Sequence, residues 1–217
     1  MAKINPETNP TTETYLDFDK AYAFFNRRLF AGTLPACLIT LQRRKSTYGY
    51  FSPERWEATQ RPEIADEIAL NPDHFRERTT AQVLSTLVHE MAHLWQHHFG
   101  KPSRGGYHNK EWAARMDELG LTPSDTGAPG GKRTGPRVSH YIAPDGPFAR
   151  EAAALTAKKF AVPYIDRFGE DRATAKKKKA ASKTKYTCAG CGVNAWAKPD
   201  TYLVCGDCET AMEAAVR

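Results

Sequence analysis

The sequence predicts an α+β fold, because helical and strand-like patterns occupy separate stretches of the chain instead of alternating. Three observations carry this expectation. Apolar residues recur at helical spacing on either side of a block of short β-rich runs, and no internal repeat is visible. Composition is globular, with 41% hydrophobic and 26% charged residues among 217, enough for a core of ordinary size. Four of the five cysteines gather as two CxxC pairs near the C-terminal end, which marks a second, small module.

Taken in order, residues 1–13 are rich in Pro, Thr and Asn without a hydrophobic period and read as a flexible tail. Phe18, Tyr22, Phe25 and Leu29 then form one face of an amphipathic helix, closed by Gly32 and Pro35. Cys37–Leu41, Tyr48–Phe51 and Glu67–Leu70 read as three strands of a small sheet, the last stopped by Asn71-Pro72. Helical spacing returns from Thr80 to His98, with Leu84, Leu87, Val88, Met91 and Trp95 as its core stripe. A Pro, Ser and Gly loop leads to another helix, where Trp112, Met116 and Leu119 share a face before Gly120. Residues 123–137 read as irregular, Val138–Ile142 as a strand, and Phe148–Phe160 as a final helix. The layout is therefore a tail (1–13), a main domain (14–170), a basic linker (171–185) and a cysteine module (186–217).

Other classes are excluded by pattern. No apolar run follows the N-terminal Lys3 as in a secretory signal, and no stretch approaches the ~20 apolar residues of a membrane span. Paired CxxC motifs without an export signal point to metal binding in a reducing compartment, so a cytoplasmic address is expected. The fifth cysteine, Cys37, sits in the apolar run Leu34–Leu41 and is expected to be a buried hydrophobe.

Residues 89–93 read His-Glu-Met-Ala-His, an HExxH motif inside the long helical stretch. Two histidines at i and i+4 lie one turn apart, with a rise of ~6 Å, so both imidazoles can reach one Zn²⁺. Glu90, one residue round, can act as general base on a metal-activated water without being a ligand. Three protein ligands are usual in a catalytic zinc site. Gln96 and Phe99 stand where an extended HExxHxxGxxH motif would have its Gly and last His, and His97 lies too far along the helix to share the ion. Spacing favours His108, at a loop-to-helix junction, over Glu111 as the third ligand.

Cys188-Ala-Gly-Cys191 and Cys205-Gly-Asp-Cys208 are separated by thirteen residues. Two such knuckles complete a tetrahedral Cys₄ set, a zinc ribbon with no open position, so this second Zn²⁺ is expected to be structural. Tyr186, Trp196 and Tyr202 serve either its minimal core or base stacking.

These residues resemble the SprT-like/Spartan zinc metalloproteases, over roughly Phe25 to Leu121 plus the cysteine module. The likeness rests on Phe25-Asn-Arg-Arg-Leu-Phe30 with Gly32 and Leu34, on Glu67-Ile-Ala-Leu-Asn71, and on Leu87-Val-His-Glu-Met-Ala-His93. Gly106-Tyr107-His108 followed by Glu111-Trp112 is similar to the family's third-ligand segment, although Tyr107 precedes the histidine and Asn109 follows it. The resemblance implies a small zincin-like domain, with His89, His93 and His108 holding a catalytic zinc beside Glu90. It also implies cleavage of DNA-bound or DNA-crosslinked proteins in repair. Two finer readings stay open: Ile68–Asn71 is either an edge strand that pairs with substrate backbone or a plain core strand, and His140 and Tyr141 are favoured as structural strand residues over donors to the oxyanion.

The formal charge of +6 is carried entirely by residues 171–187, and the rest of the chain balances. A lysine run is commonly a solvated linker. Placed between the domain and the ribbon, Lys176, Lys177, Lys178, Lys179, Lys183 and Lys185 are expected to contact DNA phosphates without sequence preference. The expected assembly is a monomer, cytoplasmic and associated with DNA or the nucleoid, with protein substrates on DNA. The competing readings are a general zinc metallopeptidase unlinked to DNA, and a non-catalytic DNA-binding adaptor on the same scaffold.

Overall fold

The computed structural model describes residues 9–167 and 183–215. The chain divides into two compact units, residues 1–166 and 167–217, and the first is mixed α+β. Helix α1 (Pro10–Leu29) begins inside the segment expected to be a tail, because Asn9 caps the Thr12 N–H and Pro10 fits the first turn. Strands β1 (Leu38–Leu41), β2 (Gly49–Glu57) and β3 (Ile64–Leu70) form a sheet in the order β1-β3-β2. β3 runs parallel to β1 and antiparallel to β2. It is thus the central strand, not an edge, and this corrects the expectation that Ile68–Asn71 offers a free edge to substrate.

β2 is longer than its apolar stretch suggests. It continues through Pro53 by means of a register shift between Ser52 and Trp56, where Glu54 adopts φ +49°. Asp66 of β3 secures the irregularity by accepting the Glu54 N–H at 2.8 Å. An edge strand tolerates Pro53 because no ladder donor is needed there.

Helix α2 (Thr80–Phe99) opens with a capping box between Thr79 and Gln82 and packs on β2 and β3. Every residue from Val83 to Ala92 is buried, including His89 and Glu90. Helix α3 (Lys110–Leu119) ends at Gly120, which takes φ +79°. A Cβ there would also meet the Pro147 ring at 2.9 Å. Part of the segment expected to be irregular forms β4 (Leu121–Ser124), paired antiparallel with β5 (Ser139–Ile142). Helix α4 (Pro147–Ala157) closes the core, its Phe148 stacked on Phe25 of α1 with ring centroids 5.6 Å apart. Cys37 is half-buried against this core, and burial pushes its thiol up to about 12. Among the described residues, no helix is long and apolar enough to cross a membrane.

The second unit is a three-stranded sheet of β6 (Thr184–Cys188), β7 (Asn194–Ala197) and β8 (Met212–Ala214), in the order β7-β6-β8. Lys185 therefore lies within a strand and not in the linker to which it was assigned. Tyr186 is buried and belongs to the small core, its hydroxyl donating to the Lys198 carbonyl.

Candidate metal centre and cleft

His89 and His93 project from one face of α2, and His108 comes from the loop just before α3. The three rings offer nitrogens that all lie within 4.8 Å of one another. His89 Nε2 and His108 Nε2 are 3.4 Å apart. All three rings rest on Trp112, which is fully buried: its centroid is 5.0 Å from His93 in a stacked pair, and 4.9 Å and 4.3 Å from His89 and His108.

His108 is held where the loop returns. Its N–H donates to the Gly135 carbonyl at 2.9 Å, and its Nδ1 lies 3.0 Å from the same oxygen. A carbonyl only accepts, so Nδ1 carries the proton and Nε2 keeps its lone pair. The loop itself is pinned from α2: the Gln96 amide donates to Asn109 Oδ1 at 2.8 Å and to Glu111 Oε2 at 2.7 Å. The Glu111 carboxylate also accepts the Lys101 N–H, and these bonds hold it below the usual carboxylate range. Glu111 is therefore a clamp for the loop and stands outside the histidine group.

Burial lowers the proton affinity of every ring here. His89 is held well below the ordinary range by burial, with His140 and His93 adding to it. Burial takes His93 down to about 3, with His108 contributing, and His108 is also lowered. Neutral imidazoles are the form a metal ion requires, so the donor set fits zinc chemically. The same burial acts on stability. Unfolded histidine has a pKa near ~6.5 and takes up protons that folded His93 and His140 refuse down to about 3. The contribution is complete above ~6.5 and is lost as pH falls through that window. The metal-free chain is expected to lose on the order of 2 kcal/mol per such histidine by pH 5. Urea unfolding of the Glu90→Gln chain at pH 7 and pH 5 measures it, because the raised Glu90 carboxyl would otherwise shift stability the opposite way over that range; equal stability at the two values in that variant would contradict the burial argument.

Glu90 is 4% exposed and accepts a backbone hydrogen bond from Phe51 of β2. Burial raises its carboxyl to about 8, against the effect of that bond; a nearby divalent cation favours the carboxylate. Gly49 explains how β2 comes so close. A Cβ at Gly49 would lie 2.8 Å from the Ala69 carbonyl and Thr86 Cγ2, and 3.2 Å from Glu90 Oε1. Gly49→Ala is expected to destabilise the fold by ~1–3 kcal/mol, because the methyl group must displace β2 or α2. Unchanged urea unfolding would mean the strand accommodates the methyl group freely.

These groups lie in a cleft of about 840 Å³ between the start of β2, the 102–108 loop and residues 136–140. That volume suits a few residues of extended chain. Arg44, Lys45, Arg104 and Arg137 lie along its walls. His97 also lines the cleft, 5.9 Å from the Phe51 ring, but groups with Asp66 and His98 and not with the three histidines. Asp66 already serves Glu54 and meets His98 Nε2 at 2.7 Å.

His140 lines the cleft, but both of its ring nitrogens are already engaged: Nδ1 sits 3.0 Å from His89 Nδ1 and Nε2 2.9 Å from Ser85 Oγ, which leaves no free donor for an oxyanion. Tyr141 does not line the cleft.

The chain matches the SprT-like family model over residues 18–132. It belongs to the SprT-like family. A Salmonella typhimurium protein, named only as an uncharacterized protein in the mucB 3′ region, is 52% identical over 59 residues. That stretch is 27% of this chain and 80% of that protein. No solved structure matches the chain significantly. Family membership makes a metalloprotease-like domain the frame for the histidine group.

In the second unit, Cys188, Cys191, Cys205 and Cys208 bring their sulfurs within 4.8 Å of one another, with Cys191 and Cys205 3.6 Å apart. Cys188 is lowered to about 6, chiefly by the Thr210 hydroxyl, whereas Cys208 is raised to about 12 by hydrogen bonding with Cys191 and Cys188. Four convergent thiols of this kind suit one zinc as a closed Cys₄ set. Lys183 and Lys185 are exposed, and Lys185 pairs across the ladder with Trp196, itself 63% exposed. Lys176, Lys177, Lys178 and Lys179 lie outside the described residues.

The residues that sequence reasoning missed are the supports: Gly49, Phe51, Ser85, Gln96, Gly135 and Trp112 as floor. The sequence marks Trp112 only as a core position of its helix and part of the third-ligand segment, Phe51 only as a strand residue and Gln96 only as a departure from the extended motif; their support of the histidines leaves no spacing signal.

Proposed function

We propose that this protein is a zinc-dependent endopeptidase of zincin-like architecture that acts on proteins bound or crosslinked to DNA. The observation that carries the peptidase reading is the convergence of three neutral imidazoles beside a buried carboxylate, on the floor of a cleft walled by an edge strand. A non-catalytic scaffold would need the ligands but not Glu90.

His89, His93 and His108 would hold the catalytic zinc, and Cys188, Cys191, Cys205 and Cys208 a structural one. When bound, the catalytic ion supplies Lewis acidity, which brings the pKa of a water toward ~7. A substrate segment lies extended along β2, whose outer edge is unpaired among the described residues. Main-chain pairing of that kind gives broad specificity. Glu90 takes the proton of the attacking water at its carboxylate, with the Phe51 N–H keeping that oxygen in place. The water oxygen adds to the peptide carbonyl, the C–N bond breaks, and Glu90 returns the proton to the departing amine.

Support for the DNA reading is electrostatic. The cleft walls carry Arg44, Lys45, Arg104 and Arg137. The Lys185–Trp196 pair places a cation beside an exposed ring on the second unit, and the lysine-rich linker precedes it. Such a surface favours backbone phosphates and stacked bases without sequence readout. The test is cleavage of a basic DNA-binding protein by the zinc-loaded chain, with and without single- and double-stranded DNA. DNA-stimulated cleavage is expected. Cleavage indifferent to DNA would leave a general metallopeptidase, and DNA binding without cleavage under any condition would leave an adaptor.

A further inference from the structure

The histidine group has a support that lies outside the residues matched by the family model, in the segment 135–140. Gly135 and His140 each meet one ligand histidine from behind, His108 and His89 respectively. The second contact extends into a chain whose hydrogens can be assigned from its far end. The Gln82 carbonyl can only accept, and the Ser85 hydroxyl, 2.9 Å away, donates to it. With its one hydrogen so placed, Ser85 Oγ accepts from His140 Nε2 at 2.9 Å. With the ring neutral, His140 Nδ1 is left bare and accepts from His89 Nδ1 at 3.0 Å. His89 Nε2 is thereby left with its lone pair, on the side where His108 Nε2 also lies.

We infer that His140 is a positioning residue for the metal centre: with Ser85 it locks His89 in the tautomer whose Nε2 can ligate. The inference rests on the metal-binding reading above. Two of the three ligand histidines then end on main-chain carbonyls, His108 directly at Gly135 and His89 through His140 and Ser85 at Gln82. Ligand imidazoles whose second nitrogen is held in this way bind metal more tightly, and losing the outer partner typically costs ~10- to 100-fold in affinity. The β4–β5 pair that carries His140 is therefore part of the site, although it contributes no ligand.

Two substitutions separate the hydrogen bond from mere packing. In His140→Asn the side-chain oxygen stands where Nδ1 stood and can still accept from His89. In His140→Gln the polar group moves to the Nε2 position, keeping the reach to Ser85 and losing the contact to His89. Zinc affinity is measured by chelator competition on the full chain, with the tighter Cys₄ equivalent filled. His140→Gln is expected to weaken the second equivalent by ~10- to 100-fold, and His140→Asn to stay near wild type. Ser85→Ala, which frees the His140 tautomer, should give a smaller loss. Melting of the metal-free forms controls for packing.

A direct reading comes from imidazole nitrogen NMR of the wild-type chain. Protons are expected on His140 Nε2 and on Nδ1 of His89 and His108. A proton on His140 Nδ1, or equal zinc affinity in the Asn and Gln variants, would overturn the inference. Binding of a single zinc that is lost when the cysteines are modified would instead remove the metal-centre reading on which it rests.

Discussion

Glu90→Gln is expected to keep its zinc and lose ~10²- to 10⁴-fold in kcat, the range over which a positioned general base contributes. Glutamine matches the side chain in size and its oxygen can still accept the Phe51 N–H, so β2 has no reason to move. What it cannot do is take a proton. Burial is also easier for the amide than for a carboxylate, and Glu90 is almost wholly buried. The metal-free variant should therefore melt no lower than wild type. Turnover on a protein substrate and zinc content, measured on the same preparation, check both halves. Wild-type turnover in the variant would remove Glu90 from the chemistry. Loss of zinc together with activity would make it a structural element of the site.

Stripping metal with a chelator is expected to unfold residues 183–215 while the first unit keeps its fold. The first unit has an extensive core, including Phe18, Phe25, Leu84, Met91, Trp112 and Phe148, all fully buried. The second has three strands of 5, 4 and 3 residues. The buried side chains described there are Tyr186, Cys188 and Cys205, so two of its core groups are themselves metal-ligand candidates. A piece of this size lacks the apolar area to fold unaided. Structural zinc contributes ~10–16 kcal/mol in small zinc modules, and its removal leaves nothing comparable. Hydrogen exchange on the intact chain should show protection lost across β6, β7 and β8 and kept along α2. Persistent protection of those strands without metal would mean that the sheet stands on packing alone.

The parts of the site that were legible in the sequence are those in which chemistry dictates spacing. His89 and His93 must sit one helical turn apart to share an ion, and the CxxC knuckles must present paired thiolates. The long helix was legible because its apolar stripe, Leu84 to Trp95, repeats over about three turns. Strand order was not legible in the same way, because pairing partners leave no local trace. In the structure the residues from Asp66 to Leu70 are buried on both faces, as in a central strand, but the acidic Asp66 and Glu67 hide this in the sequence. The start of α1 was also written locally, in Asn9-Pro10 with Glu13 in the first turn. β4 was masked by Pro123, which pairs across from His140. Its short two-stranded sheet lets a proline stand in the ladder. His140 was visible in the sequence as a strand histidine and a candidate oxyanion donor; its contacts to Ser85 and His89, more than fifty residues earlier in the chain, leave no local trace.

The central claim is that His89, His93 and His108 form one metal centre separate from the four cysteines. Zinc content of the purified wild-type and His108→Ala chains tests it most directly. The account expects two equivalents in the wild type and one in the variant, whose remaining zinc is lost only when the cysteines are modified. Two equivalents held with wild-type affinity in His108→Ala would contradict it and place the third ligand elsewhere.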